Sequence, residues 1–361
     1  MNILKILFVA PYPYGKAPSQ RLKYEQYYPY IKEAGYDITT SSFIDNQFWS
    51  IVYKPGNTLK KILFTVLAYF RRLKDLFTLH RYDVVYVHLW VTPIGPPIFE
   101  WLFRKFSKRL IYDIDDLIFL KPKSKSNPLI NLIKFGNKPI YLMKEADHII
   151  TCTPHLDQFV RQFNPETTDI SSTINTKAYL PRTNYTLKKK ITLGWSGSHS
   201  TSKYVYLLKD VFLKLKAEFD FSLLVIGDQD FKMEGVEVNA IPWDESTEVE
   251  DLSKIDIGLY PLPNEEWVLG KSGLKALQYM ALGVPTIATA IGANFRVIEH
   301  GVSGFLVNSP EEWLQAIRAL VKDEELRRLI GTSAVERVDK YYSIKSNAPV
   351  YVGILNKVNG K

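Results

Sequence analysis

The sequence predicts an α/β protein of two doubly wound, Rossmann-like domains, and three observations carry the prediction. The chain has 361 residues, more than one hydrophobic core usually organises. Short apolar runs alternate with helical patterns along its length, as strand-helix-strand units around parallel sheets require. A polar, basic, proline-punctuated stretch from Pro181 to Lys190 interrupts the alternation near mid-chain, as an interdomain connector would.

In the first half the expected strands are Ile3 to Ala10, Val84 to Leu89, Leu110 to Asp113 and His148 to Thr151. Each is a near-continuous apolar run, suited to a sheet covered on both faces. Helices are expected over Arg21 to Ala34, Leu59 to Phe77, Pro97 to Phe106 and Leu129 to Ala146. After the connector the strands are Ile191 to Trp195, Ser222 to Ile226, Val236 to Ala240, Ile255 to Tyr260, Pro285 to Ala288 and Gly304 to Val307. Such sheets bind ligands outside the carboxyl ends of their strands, so the chemistry is expected in a cleft that the two domains face.

Composition narrows the class. Hydrophobic residues make up 46% and charged residues 23% of the chain, an ordinary globular balance that excludes extended disorder. Cys152 is the single cysteine, which rules out an internal disulfide and thiolate metal clusters and fits a reducing, cytoplasmic setting. Its apolar surroundings read as those of a buried small hydrophobe. The apolar N-terminus breaks at Pro11 and Pro13 without a small-residue cleavage site, and reads as a first buried strand. No apolar run reaches the ~20 residues of a membrane span.

The net charge of +8 points to an anionic partner. Basic residues are not interleaved with aromatics in any nucleic-acid module, so nucleic acid is not expected. The charge is densest over residues 54–80, where Lys54, Lys60, Lys61, Arg71, Arg72 and Lys74 stand against one acid, Asp75. Around the apolar run Ile62 to Phe70 this suits a helix lying on an anionic membrane surface. The alternative is a helix packed by its apolar face, with solvated lysines.

The most informative stretch follows the strand ending at Tyr260: Gly270-Lys271-Ser272-Gly273-Leu274-Lys275, opening a helix that runs through Gln278 to Gly283. A helix N-terminus with two lysines on its first turn is an anion site, and a diphosphate suits it. The alternative is that Gly270 and Gly273 only shape the turn. With Gly283, Pro285, Gly292, Asn294, Gly301, Gly304 and Phe305, this region resembles the donor-site signature of retaining GT-B glycosyltransferases of family 4, in a lysine-rich-loop branch.

That resemblance implies a nucleotide-sugar transferase of GT-B architecture, with a C-terminal helix, residues 341–361, returning to an acceptor-side domain, 1–180, from a donor-binding domain, 181–340. It implies no metal and no resident cofactor; the UDP- or GDP-linked donor is substrate. Lys271 is expected to act on the departing diphosphate. Ser272, Gly273, Leu274 and Lys275 would hold the donor and Gln278 its ribose. The family carries two glutamates eight positions apart, and here those positions are Gly270 and Gln278, so Glu265 or Glu266 would have to contact the sugar instead.

The loop Gly194 to Tyr204 also matches, with Ser198 and His199 beside the donor and Lys203 on its phosphates. Ser198 is equally a natural helix N-cap. Trp243 is placed to stack on the base, or to fill the core. In the first domain the resemblance gives Gly15 in a flexible loop over the donor and Asp115 near the transferred sugar. His88, ending a strand at the cleft edge, is expected on the acceptor side with Arg21, the alternative being a structurally satisfied histidine. The acceptor is expected to be a glycan, lipid-linked glycan or polysaccharide. Gly270 also admits a catalytically silent binder or partner subunit, and the architecture admits a sugar-nucleotide epimerase.

Overall fold

The protein is described by a computed structural model covering residues 3–119 and 137–360. The chain divides into two compact units, residues 1–171 with 347–361, and residues 172–346. Each is built on one six-stranded, all-parallel sheet.

In the first unit the strands are β1 (Leu4–Ala10), β2 (Tyr36–Ser42), β3 (Val84–His88), β4 (Leu110–Asp113), β5 (His148–Thr151) and β6 (Thr167–Asp169). Their order is β2-β1-β3-β4-β5-β6. All of β3, β4 and β5 is buried, as the unbroken apolar runs require. The helices are α1 (Pro18–Arg21), α2 (Tyr28–Glu33), α3 (Asn46–Val52), α4 (Thr58–Leu76), α5 (Ile98–Phe106), α6 (Asn137–Glu145) and α7 (Pro154–Val160).

Three expectations change. The strands β2 and β6 are absent from the apolar pattern because they are sheet edges: Tyr-Asp-Ile-Thr-Thr-Ser-Ser and Thr-Thr-Asp bury too little to leave an apolar run. The helix expected over 21–34 is broken, because Pro29 has no N–H to continue a helix and instead starts α2. The expected helix at 129–146 is seen from Asn137 to Glu145, and residues 129–136 lie outside the described residues.

The second unit has β7 (Ile191–Ser196), β8 (Phe221–Ile226), β9 (Val238–Ile241), β10 (Ile257–Tyr260), β11 (Thr286–Thr289) and β12 (Phe305–Val307). Their order is β12-β11-β10-β7-β8-β9, the dinucleotide-fold order in which direction reverses between the first and fourth strands. Its helices are α8 (His199–Ser202), α9 (Lys209–Leu215), α10 (Glu248–Ser253), α11 (Leu274–Ala281), α12 (Pro310–Lys322) and α13 (Glu324–Tyr342), with a single helical turn at Asn294–Val297; α14 (Ile344–Val358) starts here and belongs to the first unit from Asn347 onward. One core, around Ile226, Ile255 and Met280, and a second, around Trp195, Phe212 and Ile317, cover the two faces. Each fully buried side chain of this size contributes about 1.5–3 kcal/mol.

The polar segment 181–190 belongs to the second unit. Its Arg182 N–H donates to the Leu282 carbonyl, and Tyr185 is buried against Gly283 and Gly331. The C-terminal residues from Asn347 belong to the first unit. There Tyr351 stacks on Tyr27 at 4.2 Å, and the Tyr36 hydroxyl donates to Asn356 at 2.7 Å.

Candidate functional site

The reversal between β7 and β10 opens a crevice outside their carboxyl ends, where doubly wound sheets take ligands. Trp195 is the penultimate residue of β7, and Tyr260 ends β10. Lys275, in the first turn of α11, stands over both, with Nζ 5.3 Å from the Trp195 ring centroid and 5.6 Å from that of Tyr260. Among the described residues it forms no ion pair. Burial, aided by the charge of Lys271, pushes its pKa down to about 8. A half-buried ammonium seated over two aromatic rings suits an anionic ligand.

The surrounding backbone is shaped to the same spot. Gly273 caps α11 at φ 79°, a left-handed conformation that favours glycine, and no side chain caps the helix there. The amides of the first turn are therefore open to a ligand. A Cβ on Gly197 would sit 2.5 Å from the Trp195 ring and 2.7 Å from Cε of Lys275, so only glycine lets this loop close over them.

Lys271 lies with Nζ 5.3 Å from the Trp267 ring centroid, and that ring packs on Tyr204 at 5.6 Å. The Ser272 hydroxyl meets that of Ser172 at 2.7 Å. Of the two candidate acids, Glu265 accepts the Trp267 indole N–H, whereas Glu266 is exposed at the head of the 3-10 turn that ends at buried Gly270.

Gln278 is buried, and its Nε2 donates to the Tyr179 hydroxyl at 2.9 Å and to Glu248 at 3.1 Å. Glu248 also accepts from the Trp243 indole at 2.8 Å and from the Tyr179 hydroxyl at 3.2 Å. With both amide hydrogens directed at the carboxylate and the phenol, Oε1 is the Gln278 atom left to accept. Glu248 was not among the residues singled out from the sequence. It lies in the acidic stretch Asp244 to Asp251, where nothing distinguishes one carboxylate from its neighbours until α10 brings it to Gln278.

The loop after β7 is anchored by a second unforeseen acid, Asp228. It accepts from Ser202 at 2.5 Å and pairs with His199 at 3.0 Å, and these bonds hold its carboxyl below the usual range. The same contact raises the His199 pKa. Ser198 precedes α8 without a capping side-chain bond, its hydroxyl meeting Ser200 and Thr201 instead. Lys203 is exposed, with Nζ 5.3 Å from the Tyr204 ring centroid. A cavity of about 560 Å³ lies farther along the sheet, lined by Pro261, Leu262, Thr289, Ala290, Asn308 and Trp313 among others. None of the candidate donor residues lines it.

The first unit gathers its candidates differently. His88 ends β3 and lies opposite Asp113, which ends β4. Buried Lys23 pairs with Asp113, and the Tyr86 hydroxyl donates to the same carboxylate at 2.5 Å. Burial alone would raise Asp113, but the charge of Lys23 and the contact with His88 bring it below the usual carboxylate range. The pairing likewise raises Lys23 against its own burial. His88 lies 3.6 Å from Asp113 and 4.0 Å from Asp115, and neither ring nitrogen has a hydrogen-bond partner among the described residues.

Burial raises the Asp115 carboxyl, and its backbone oxygen accepts the Cys152 thiol at 3.0 Å. Gly15, at φ 73°, is in a loop that is tied down: its N–H donates to Glu25 at 2.9 Å, and Gln20 bonds both the N–H and the carbonyl of Tyr12. Arg21 ends α1 and is half-buried. Among the described residues no set of three or more His, Cys, Asp or Glu side chains is arranged to hold a metal ion.

Residues 190–323 match the family model described as Glycosyl transferases group 1. N-acetyl-alpha-D-glucosaminyl L-malate synthase of Bacillus anthracis is 28% identical over 255 residues, 64% of this chain and 65% of that protein. The match therefore spans just under two thirds of the relative's length. Among solved structures, HepE of Anabaena in complex with UDP and glucose has a TM-score of 0.70 at 16% identity, covering 98% of this chain and 100% of that one. Sucrose-phosphate synthase of Thermosynechococcus elongatus has a TM-score of 0.70 at 16% identity, with 99% of both chains covered. The family match lies within the second unit, and the solved structures share the GT-B fold with this chain over nearly its whole length.

Proposed function

We propose that this chain is a glycosyltransferase that holds a nucleoside-diphosphate sugar on its second unit and passes the sugar, with retention, to an acceptor hydroxyl. One observation carries the reading: Lys275, without an ion pair among the described residues, stands over Trp195 and Tyr260 at the sheet reversal, beside the first turn of α11, which has no side-chain cap. The diphosphate is assigned to Lys275, Lys271, Ser272 and the amides of Gly273 and Leu274, with Lys203 approaching from the loop after β7. The ribose is assigned to Oε1 of Gln278 and the base to the exposed face of Trp243. Glu266 is the acid left to meet the sugar from this unit, with Ser198 and His199 beside it.

In this scheme negative charge grows on the departing diphosphate, and cations and amides already in place stabilise it without reorganisation. Asp115, Gly15, His88 and Arg21 are assigned to the sugar and acceptor side. The acceptor is a glycan, lipid-linked glycan or polysaccharide, and a lipid-linked one suits contact with an anionic membrane through residues 54–80.

Thermal-shift screening against UDP- and GDP-linked sugars, followed by an assay for released nucleoside diphosphate, tests the proposal. Stabilisation by at least one nucleotide sugar is expected, and no response across the panel would remove it. Gly270 favours a second reading, a binder that does not transfer, because Glu265 is engaged by Trp267 and only Glu266 remains to contact the sugar. Stabilisation without any released diphosphate, with or without acceptors, would select that reading.

A further inference from the structure

The helix α4 is mounted on the first unit through Phe64, Ala68 and Tyr69, which pack against Phe43 and Phe48, and through two arginines. Arg72 is fully buried and donates to the carbonyls of Ala10, Ser41 and Val91, and to Asp75. Arg71 donates to the carbonyls of Ser42 and Phe43 and to Asp45. The opposite side is apolar and faces outward. Leu59, Leu63, Val66, Phe70, Leu73 and Phe77, spaced alternately four and three apart, form one stripe and are between 42% and 83% exposed. An apolar stripe of this kind is ordinarily removed from water by packing, so its exposure calls for a partner.

The neighbouring helix extends the surface. Tyr69 of α4 packs on Phe99 of α5 at 5.7 Å, and α5 exposes Ile98, Trp101 and Phe106. Lys105 holds Nζ 4.9 Å from the Trp101 ring centroid. Around the stripe Lys54, Lys60, Lys74, His80 and Arg81 are exposed, whereas the one acid between residues 54 and 81, Asp75, is bonded to Arg72 and Ser41. No helix among the described residues is long and apolar enough to cross a membrane.

We infer that the α4–α5 face lies flat on an anionic lipid surface, with the stripe and Trp101 at the level of the headgroups and the lysines against lipid phosphates. Charge chooses this occupant over a second copy of the chain. Two copies meeting through the stripe would bring their lysine rims together, while an anionic surface neutralises them, each cation near it adding about 1 kcal/mol. The inference sharpens the membrane contact proposed for residues 54–80 and does not depend on nucleotide binding, so the two can fail separately.

The test is flotation of the full chain with vesicles of phosphatidylcholine alone or mixed with phosphatidylglycerol. The chain is expected to float with the mixed vesicles and stay behind with the neutral ones. The variants Leu63→Gln with Phe70→Gln, and Lys60→Glu with Lys74→Glu, should each reduce partitioning by about tenfold or more, with melting temperature and nucleotide binding unchanged. Absence of flotation, equal flotation of the variants, or a dimer in solution that the Leu63→Gln, Phe70→Gln variant dissociates would overturn the inference.

Discussion

Lys23 and Lys275 stand at corresponding places, each at the carboxyl ends of central strands in its own sheet, yet their surroundings are opposite. Lys23 is paired with Asp113, and its pKa rises. Lys275 has two aromatic rings beneath it and Lys271 nearby, and its pKa falls to about 8. A buried cation that brings its own counter-ion is part of the architecture, because breaking the pair leaves an uncompensated charge. One that lacks a counter-ion costs stability, and it persists where a ligand provides the missing charge. On the proposed function, the contrast separates a lysine that holds the fold from one that receives the donor's negative charge.

The largest expected effect falls on the self-compensated side. Asp113→Asn should destabilise the protein by about 3–5 kcal/mol in denaturant unfolding and leave nucleotide affinity within about twofold. The pH dependence has a fixed sign. The folded Asp113 carboxyl titrates below its unfolded value, so its stabilisation is complete above about pH 4 and vanishes as pH falls through the lowered value. Asp113→Asn should therefore flatten the acid limb of the stability curve.

Lys275→Met should do the reverse. Nucleotide affinity falls about 100-fold, ~3 kcal/mol, as a charge-assisted contact disappears, while the unliganded melting temperature holds or rises because a desolvated charge has gone. A melting temperature that drops as far as that of Asp113→Asn would erase the distinction between the two lysines.

A smaller effect is expected at Glu248. Replacing its carboxylate by Gln frees the amide of Gln278 to turn, which should weaken nucleotide binding about tenfold. The exchange Glu248→Gln with Gln278→Glu returns one carboxylate and one amide to the pair. Recovery of most of the affinity in that double variant would mark the pair as acting on ribose, and no recovery would reduce Glu248 to packing.

What could be read in the sequence follows from how local each signal is. The central strands β1, β3, β5, β7 and β10 announced themselves because burial on both faces forces an unbroken apolar run. The edge strands β2 and β6, half-polar or three residues long, carry no such mark. The lysines of the 270–275 turn were legible because glycines, lysines and a helix start fall within six residues. Their seat was not, since Trp195 and Tyr260 come from strands some 65 residues apart that pair only in the folded sheet. Glu248 and Asp228 were invisible for the same reason: each acts on a residue about 30 positions away, Gln278 and His199 respectively.

The most direct test is proton uptake on nucleotide binding. Calorimetry near pH 8.5 in two buffers of different ionisation enthalpy, with whichever of UDP or GDP binds more tightly, reports the protons taken up. A Lys275 ammonium of pKa about 8 in the free protein that gains a diphosphate must rise in pKa, so uptake of a fraction of a proton is predicted, and affinity should weaken as pH climbs through 8. Lys275→Met should abolish both. Tight binding with no proton uptake, or uptake that survives in Lys275→Met, would contradict the assignment of that lysine to the anion.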